Sequence, residues 1–395
     1  MSTAGEMLPK GRPKRRLLVA ALILMAAVLV AEVVYVVVAS RSYFAISPGT
    51  APIVSDQPSC RPAGGGNYAL PDGQPCIRLV VPASKAAAVA GSVMMVDVLE
   101  GQATPWQYFL HQVHLLHSVD DGTVLLPNQE ILGPTPLSQL SCQDDQEMAD
   151  ATQAARVVAL RTLGYRVTET DLGAQVDLVS PGTPAAAAGL ECNDLVVAAD
   201  GKPVRTAAQL VAAVHSLSPG DTIHLTVRRG AQTLQLAARL EGTPALQGQP
   251  ADPKQAFLGV AVETRATFGF PFDVAFKVGQ IGGPSAGLAM TLGLLDALTH
   301  GQLTGGLRVA ATGTIDLQGR VGDVGGVAQK TVAVRHAGAQ VFFVPDSELA
   351  AARSEARSLK VFPVSSLSQA LADLRSLGGK VPAVASGQNG GGMKT

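Results

Sequence analysis

Residues 17–39 form an apolar run of 23 residues interrupted only by Glu32. At about 1.5 Å of rise per residue, a helix of that length reaches across roughly 30 Å of hydrocarbon, so the run reads as a transmembrane anchor. The preceding residues, 1–16, form a basic tail with Lys10, Arg12, Lys14, Arg15 and Arg16. That flank predicts a cytoplasmic N-terminus and places everything after the run outside the cytoplasm. A cleaved signal peptide has a shorter apolar core, about 7–15 residues, closed by a small-residue site that does not end this run. Glu32 stands in the outer half of the span, where one carboxylate can sit near the interface or carry a proton.

With 395 residues the chain has room for two or three domains, and its 47% hydrophobic content supports packed cores and excludes a disordered chain. The formal charge of −1 gives no electrostatic attraction to nucleic acid, so no nucleic-acid partner is expected. Outside the cytoplasm cysteines can oxidise. Cys60 and Cys76 flank the loop RPAGGGNYALPDGQP and make one candidate disulfide; Cys142 with Cys192 is a second, among the three connectivities four cysteines allow. Neither CxxC nor a Cys/His zinc spacing occurs, and no metal or other cofactor is expected.

Residues 43–163 read as an extracytoplasmic α/β region, with a β-rich stretch GSVMMVDVLEG at 91–101 followed by WQYFLHQVHLLHSV. The histidines His111, His114 and His117 step by three, which spreads them over about 120° of a helix; an ordinary amphipathic helix is expected there, without a metal. A second helix is expected over 144–163, behind an acidic start. Residues 241–254, EGTPALQGQPADPK, read as a linker, and a new domain begins near Phe257. The Gly-rich polar tail 379–395 is expected to be disordered.

Between these, residues 164–240 alternate short strands with one helix at 206–217 and a final hairpin. The segments SPGTPAAAAGL (180–190), NDLVVAADGKPV (193–204) and PGDTIHLTVRRG (219–230) resemble a PDZ domain of the kind found in bacterial proteases. The resemblance implies that an extended peptide or chain terminus adds as a strand, and it puts the terminus-binding loop near LGYRV, 163–167.

GGPSAGLAM, 282–290, sets Ser285 between glycine-bearing turns ahead of an apolar helical run. A serine hydroxyl beside a proton acceptor attacks carbonyls, and backbone N–H groups of such a turn can hold the oxyanion. From 257 to 378 the chain resembles the proteolytic domain of Lon-type serine peptidases. GPSAG, 283–287, matches the family's nucleophile motif at Ser285, and ATGTIDLQGRVGDVGGVAQKTVAVRHAGA, 311–339, matches the segment whose general-base lysine falls on Lys330. Thr312 aligns with a threonine whose hydroxyl can bond the lysine amine. Helical spacing would turn Lys330 inward with Val327, Ala333 and Val334, where desolvation favours the neutral amine a base must be. Gly282 stands where many Lon enzymes carry an acid, and no GxxxxGK[ST] occurs to cradle ATP phosphates.

The expected class is therefore α+β and multi-domain, with an N-terminal transmembrane helix, a β-rich PDZ domain and an α/β Lon-type proteolytic domain. The layout resembles the membrane-anchored PDZ-Lon proteases of bacteria. The resemblance implies an ATP-independent serine endopeptidase acting on polypeptides, single-pass in the membrane and assembled as a homo-hexamer. Two other readings stand beside it. Gly283, Ser285 and Gly287 also satisfy the GxSxG of α/β-hydrolases, with Asp316 or Asp323 and His336 following in the required order for an esterase. The approach KVGQIGG is, however, not the β-branched run of a buried parallel strand. The third reading is a PDZ adaptor with an inert peptidase domain.

Overall fold

Apolar residues on every side of 17–39 leave no polar face for a helix to turn toward water, and Arg12–Ser40 is one helix whose apolar span Leu17–Ser40 is exposed up to Tyr35 and partly covered beyond it. The computed structural model describes residues 12–55, 59–82, 91–116, 121–132, 137–245, 250–279 and 281–382. Most of the basic tail, His117 and residues 383–395 lie outside the described residues. The chain divides into two compact units, Met1–Ser47 with Leu99–Gly133, and Pro48–Val98 with Pro134–Thr395.

The first unit joins the N-terminal apolar helix to a three-stranded sheet in the order Val98–Gln102, Tyr43–Pro48, Val124–Pro127. Helix Pro105–Gln112 starts on a full capping box, Thr104 with Gln107, and on a proline at its first position. It stops before His114, whose left-handed φ of 57° ends the helical path. His111 is therefore helical and His114 is not, and the two share no helical face.

The second unit holds two large sheets and, among the described residues, three two-stranded ones. The seven-stranded sheet runs Ala275–Lys277, Cys76–Val80, Ile53–Ser55, Ser92–Met94, Arg308–Ala311, Val341–Pro345, Lys360–Val364, and its last four strands are mutually parallel. Three of its strands come from before the PDZ segment. The interval 43–163 is thus not a region of its own: its apolar strands complete a sheet begun by residues beyond 257. Both expected disulfides form, Cys60–Cys76 beside this sheet and Cys142–Cys192. Helix Leu137–Thr162 starts earlier than the acidic run suggested and packs on helix Gly287–Leu298.

The PDZ sheet runs Gln232–Arg239, Thr222–Arg229, Leu195–Ala199, Thr168–Val179, Val260–Gly269, with helix Ala207–His215 capped by Thr206. Val260–Gly269 lies past the expected domain boundary, yet pairs with Thr168–Val179 from Val260↔Val179 to Gly269↔Thr168. The expected linker is also partly structured, since Glu241–Thr243 pairs with Asp252–Phe257. These pairings move the open edge of the sheet. Thr168–Val179, next to LGYRV, has both edges occupied, so a terminus-binding loop at 163–167 has no free strand to serve. The available edge is Val260–Gly269, entered through Gly259 at φ +88° and touching the helix where Ala207 N–H donates to Thr264 Oγ1 at 3.0 Å.

Candidate active site

Gly283 at φ +81° turns the chain into a short 3-10 segment, Pro284–Ala286, that runs directly into helix Gly287–Leu298. Glycine at 287 has a packing reason, because a Cβ there would stand 2.9 Å from the Ile315 backbone nitrogen. That close approach carries three bonds: Gly313 N–H to the Ser285 carbonyl at 2.9 Å, Thr312 Oγ1 to the same oxygen at 3.3 Å, and Leu288 N–H to the Gly313 carbonyl at 3.1 Å. The two motif segments identified in the sequence are therefore hydrogen-bonded to each other. Ser285 is half-buried and Thr312 fully buried, and the threonine hydroxyl donates to the Ser285 carbonyl.

Lys330 sits in the first turn of helix Val327–His336, its N–H closing the first helical bond onto Gly326, which adopts the left-handed φ of 66°. The side chain is 3% exposed, and Val327, Ala333 and Val334 are buried with it, as helical spacing implied. Sequence reasoning missed Asp97. It follows strand Ser92–Met94, whose parallel neighbour Arg308–Ala311 leads into Thr312, so both residues leave the same end of the sheet. Burial raises the Asp97 carboxyl above its ordinary range, while bonds from the Thr50 N–H and hydroxyl and the nearby charge of Lys330 pull it back. No local signal in GSVMMVDVLEG marks an acid that meets a lysine far along the chain.

The acids and histidine of the hydrolase reading are each held elsewhere. Asp316 accepts from Arg320 and from the N–H groups of Gln318 and Arg320, which together hold its carboxyl below the usual range against its burial. Asp323 accepts from Ser347. His336 is exposed at the end of its helix, about 9 Å of rise from Lys330. The strand before the serine, Ala275–Lys277, is a three-residue antiparallel edge strand, not the central parallel strand that a nucleophile elbow requires.

Helix Leu137–Thr162 supports the Ser285 turn from a third direction. The Asp144 carbonyl accepts the Gly283 N–H at 3.0 Å, and the Asp144 Cβ lies 3.1 Å from where a Cβ on Gly282 would be. A side chain at 282 would crowd that of Asp144, and an acidic one would add a second carboxylate beside it. Two residues to either side of Asp144 the same helix is tied to the PDZ segment, by Cys142–Cys192 and by Gln146, whose amide donates to the Val176 carbonyl and to Asn193.

Between that helix, the strands Thr168–Val179 and Val260–Gly269, and Pro284 lies a cleft of 530 Å³. Asp177, Glu263, Asp150 and Glu147 face it, with Arg265 paired to Asp150. Burial first, then Glu263, Asp150 and Glu147, push the Asp177 carboxyl from 3.8 up to about 7. A raised carboxyl means that the folded chain holds a proton the unfolded chain has released. This stabilisation is present near pH 4 and lost as pH rises through about 7. We expect Asp177→Asn to raise the melting temperature at about pH 8 and by much less at about pH 4, with the effect growing between them, as measured by thermal unfolding across that range. Equal shifts at both pH values would contradict the assignment.

Comparison with known proteins matches residues 162–240 to the PDZ domain family and residues 278–374 to the Lon protease (S16) C-terminal proteolytic domain. The Lon protease of Chloroflexus aggregans is 38% identical over 112 residues, covering 27% of this chain and 13% of that protein. Serine endoprotease DegS of Escherichia coli is 37% identical over 73 residues, covering 18% of this chain and 21% of that protein. The chain thus spans less than a quarter of the length of these curated relatives. Among solved structures, the PDZ domain of an SdrC-like protein from Listeria monocytogenes is 24% identical, with 24% of this chain and 90% of that one covered and a TM-score of 0.20. The chain carries a PDZ domain and a Lon-type C-terminal proteolytic domain.

Proposed function

We propose that this joining of a PDZ domain to a Lon-type proteolytic domain makes a single-pass membrane serine endopeptidase, with Ser285 as nucleophile and Lys330 as general base. The observation that carries the reading is the hydrogen-bonded pairing of the Ser285 turn with Thr312 and Gly313, together with the burial of Lys330 in the first turn of its helix. Burial and the positive end of the helix dipole both favour the neutral amine, and the Asp97 carboxylate opposes them. Ser285 Oγ attacks the scissile carbonyl carbon as its proton passes to Lys330 Nζ. Pro284 has no N–H and that of Gly283 is taken by Asp144, so the Ser285 and Ala286 N–H groups are the donors assigned to the oxyanion. Collapse breaks the C–N bond, the ammonium returns its proton to the leaving amine, and water then cleaves the acyl ester by the same route.

A substrate segment would add as a strand along the free edge of Val260–Gly269 beside helix Ala207–His215. The basic flank before residue 17 and the two disulfides support a cytoplasmic N-terminus with both domains outside. The sequence contains no GxxxxGK[ST], and the proposed reaction has no ATP step. A ring of six copies belongs to the same reading. The test is labelling of the intact protein with a peptide phosphonate. Adduct at Ser285, absent in Ser285→Ala, is the expected result; an unlabelled, folded protein would favour the adaptor.

A further inference from the structure

Helix Pro105–Gln112 carries more apolar side chains than its core covers. Tyr108 and Leu110 are buried in a core with Ala45, Ala103, Leu116 and Leu125. Trp106, Phe109 and the C-cap residue Val113, spaced by three and four residues along one stripe, are 60%, 42% and 43% exposed, and the Trp106 and Phe109 rings stack at 5.6 Å. A helix facing water on that side would be polar there. The stretch was expected to be an ordinary amphipathic helix, so the outward face needs an apolar partner.

The position of the helix identifies that partner. It packs on the end of the anchor: the Tyr35 and Tyr108 rings meet edge-on at 6.5 Å with their hydroxyls 3.5 Å apart, and Val36, Ala39 and Tyr43 close over the same core. The apolar span Leu17–Ser40 has 24 residues. At about 1.5 Å each it is about 36 Å long, against roughly 30 Å of hydrocarbon, so its last turn emerges at headgroup level. Helix Pro105–Gln112 is held beside that last turn, at the depth where tryptophan and tyrosine rings are favoured.

We propose that Pro105–Gln112 lies in the lipid–water boundary of the leaflet from which the anchor emerges, with Trp106, Phe109 and Val113 inserted among the lipids. The proposal rests on the reading of residues 17–39 as a membrane span. It makes the juxtamembrane unit a second membrane attachment, with buried apolar area as its driving force.

Trp106 is the only tryptophan of the chain, so intrinsic fluorescence reports on this face alone. The full chain is reconstituted in phosphatidylcholine vesicles containing lipids brominated at shallow or deep acyl positions, and the vesicles are washed with carbonate. The expected result is blue-shifted emission, quenched more by shallow than by deep bromines and little by aqueous iodide. Protein that stays in the washed membranes but is quenched by iodide and not by bromolipid overturns the helix placement and leaves the anchor standing. Protection from iodide that grows with protein-to-lipid ratio, without bromolipid quenching, means a second copy covers the face and likewise overturns it. Release by carbonate overturns the anchor, and this inference with it.

Discussion

Lys330→Arg is expected to abolish turnover as completely as Ser285→Ala, a drop in kcat of about 10⁴-fold or more, with the fold intact. Guanidinium keeps the charge and approximate reach of the amine but stays protonated at any working pH, so it cannot accept the serine proton. The buried setting sharpens the test, because Lys330 is 3% exposed and a surface lysine would tolerate the exchange. The wild-type rate should rise with pH as the amine loses its proton, along a limb between ~6.5, the ordinary value of histidine, and ~10.4, that of lysine. His336→Ala should leave the limb in place. Steady-state hydrolysis of a peptide, with circular dichroism to verify folding, decides the matter. Substantial activity in the arginine variant, or a limb that disappears with His336, would sink the Ser-Lys assignment.

Residues 257–378 alone, the interval that resembles a complete proteolytic domain, should fail to fold, whereas a chain starting at residue 41 should fold. Without residues before the PDZ segment, strand Arg308–Ala311 loses its parallel neighbour Ser92–Met94, and the sheet loses Ile53–Ser55 and Cys76–Val80. The core loses Val54, Ile77, Leu79, Val93 and Met95, each 8% exposed or less. At about 1.5–3 kcal/mol per buried side chain the loss is about 8–15 kcal/mol, comparable to the whole stability of a typical domain. The nucleophile helix would be left uncovered as well, since Gly293 packs so closely that a Cβ there would lie 2.5 Å from Val54. Thermal melts and phosphonate labelling compare the two chains. A cooperative transition and labelled Ser285 in the short fragment would show that the early strands are dispensable.

What could be read directly from the residues was what short stretches encode. The anchor is legible because an apolar run states its own length, and Ser285 because glycines at 283 and 287 and a proline between them prescribe a turn into a helix. The burial of Lys330 followed from helical spacing, and the PDZ strands from alternation between turn signals. Strand partners were not legible, because backbone N–H and C=O groups are the same at every position and no residue type encodes which distant strand they meet. Val93 pairs with Val309 across the whole PDZ insertion, and Val260–Gly269 closes the PDZ sheet from outside its expected boundary. Asp97 escaped notice for the same reason: its proximity to Lys330 exists only once the parallel strands are aligned. The sequence by itself determined the apolar N-terminal helix and the glycine-hinged Ser285 turn, both local patterns of hydrophobicity and backbone freedom, and it carried the motifs by which the two domains resemble known families. Only the tertiary structure decided that the proteolytic sheet is assembled from both sides of the PDZ domain, because that arrangement depends on burying apolar faces that local sequence cannot pair.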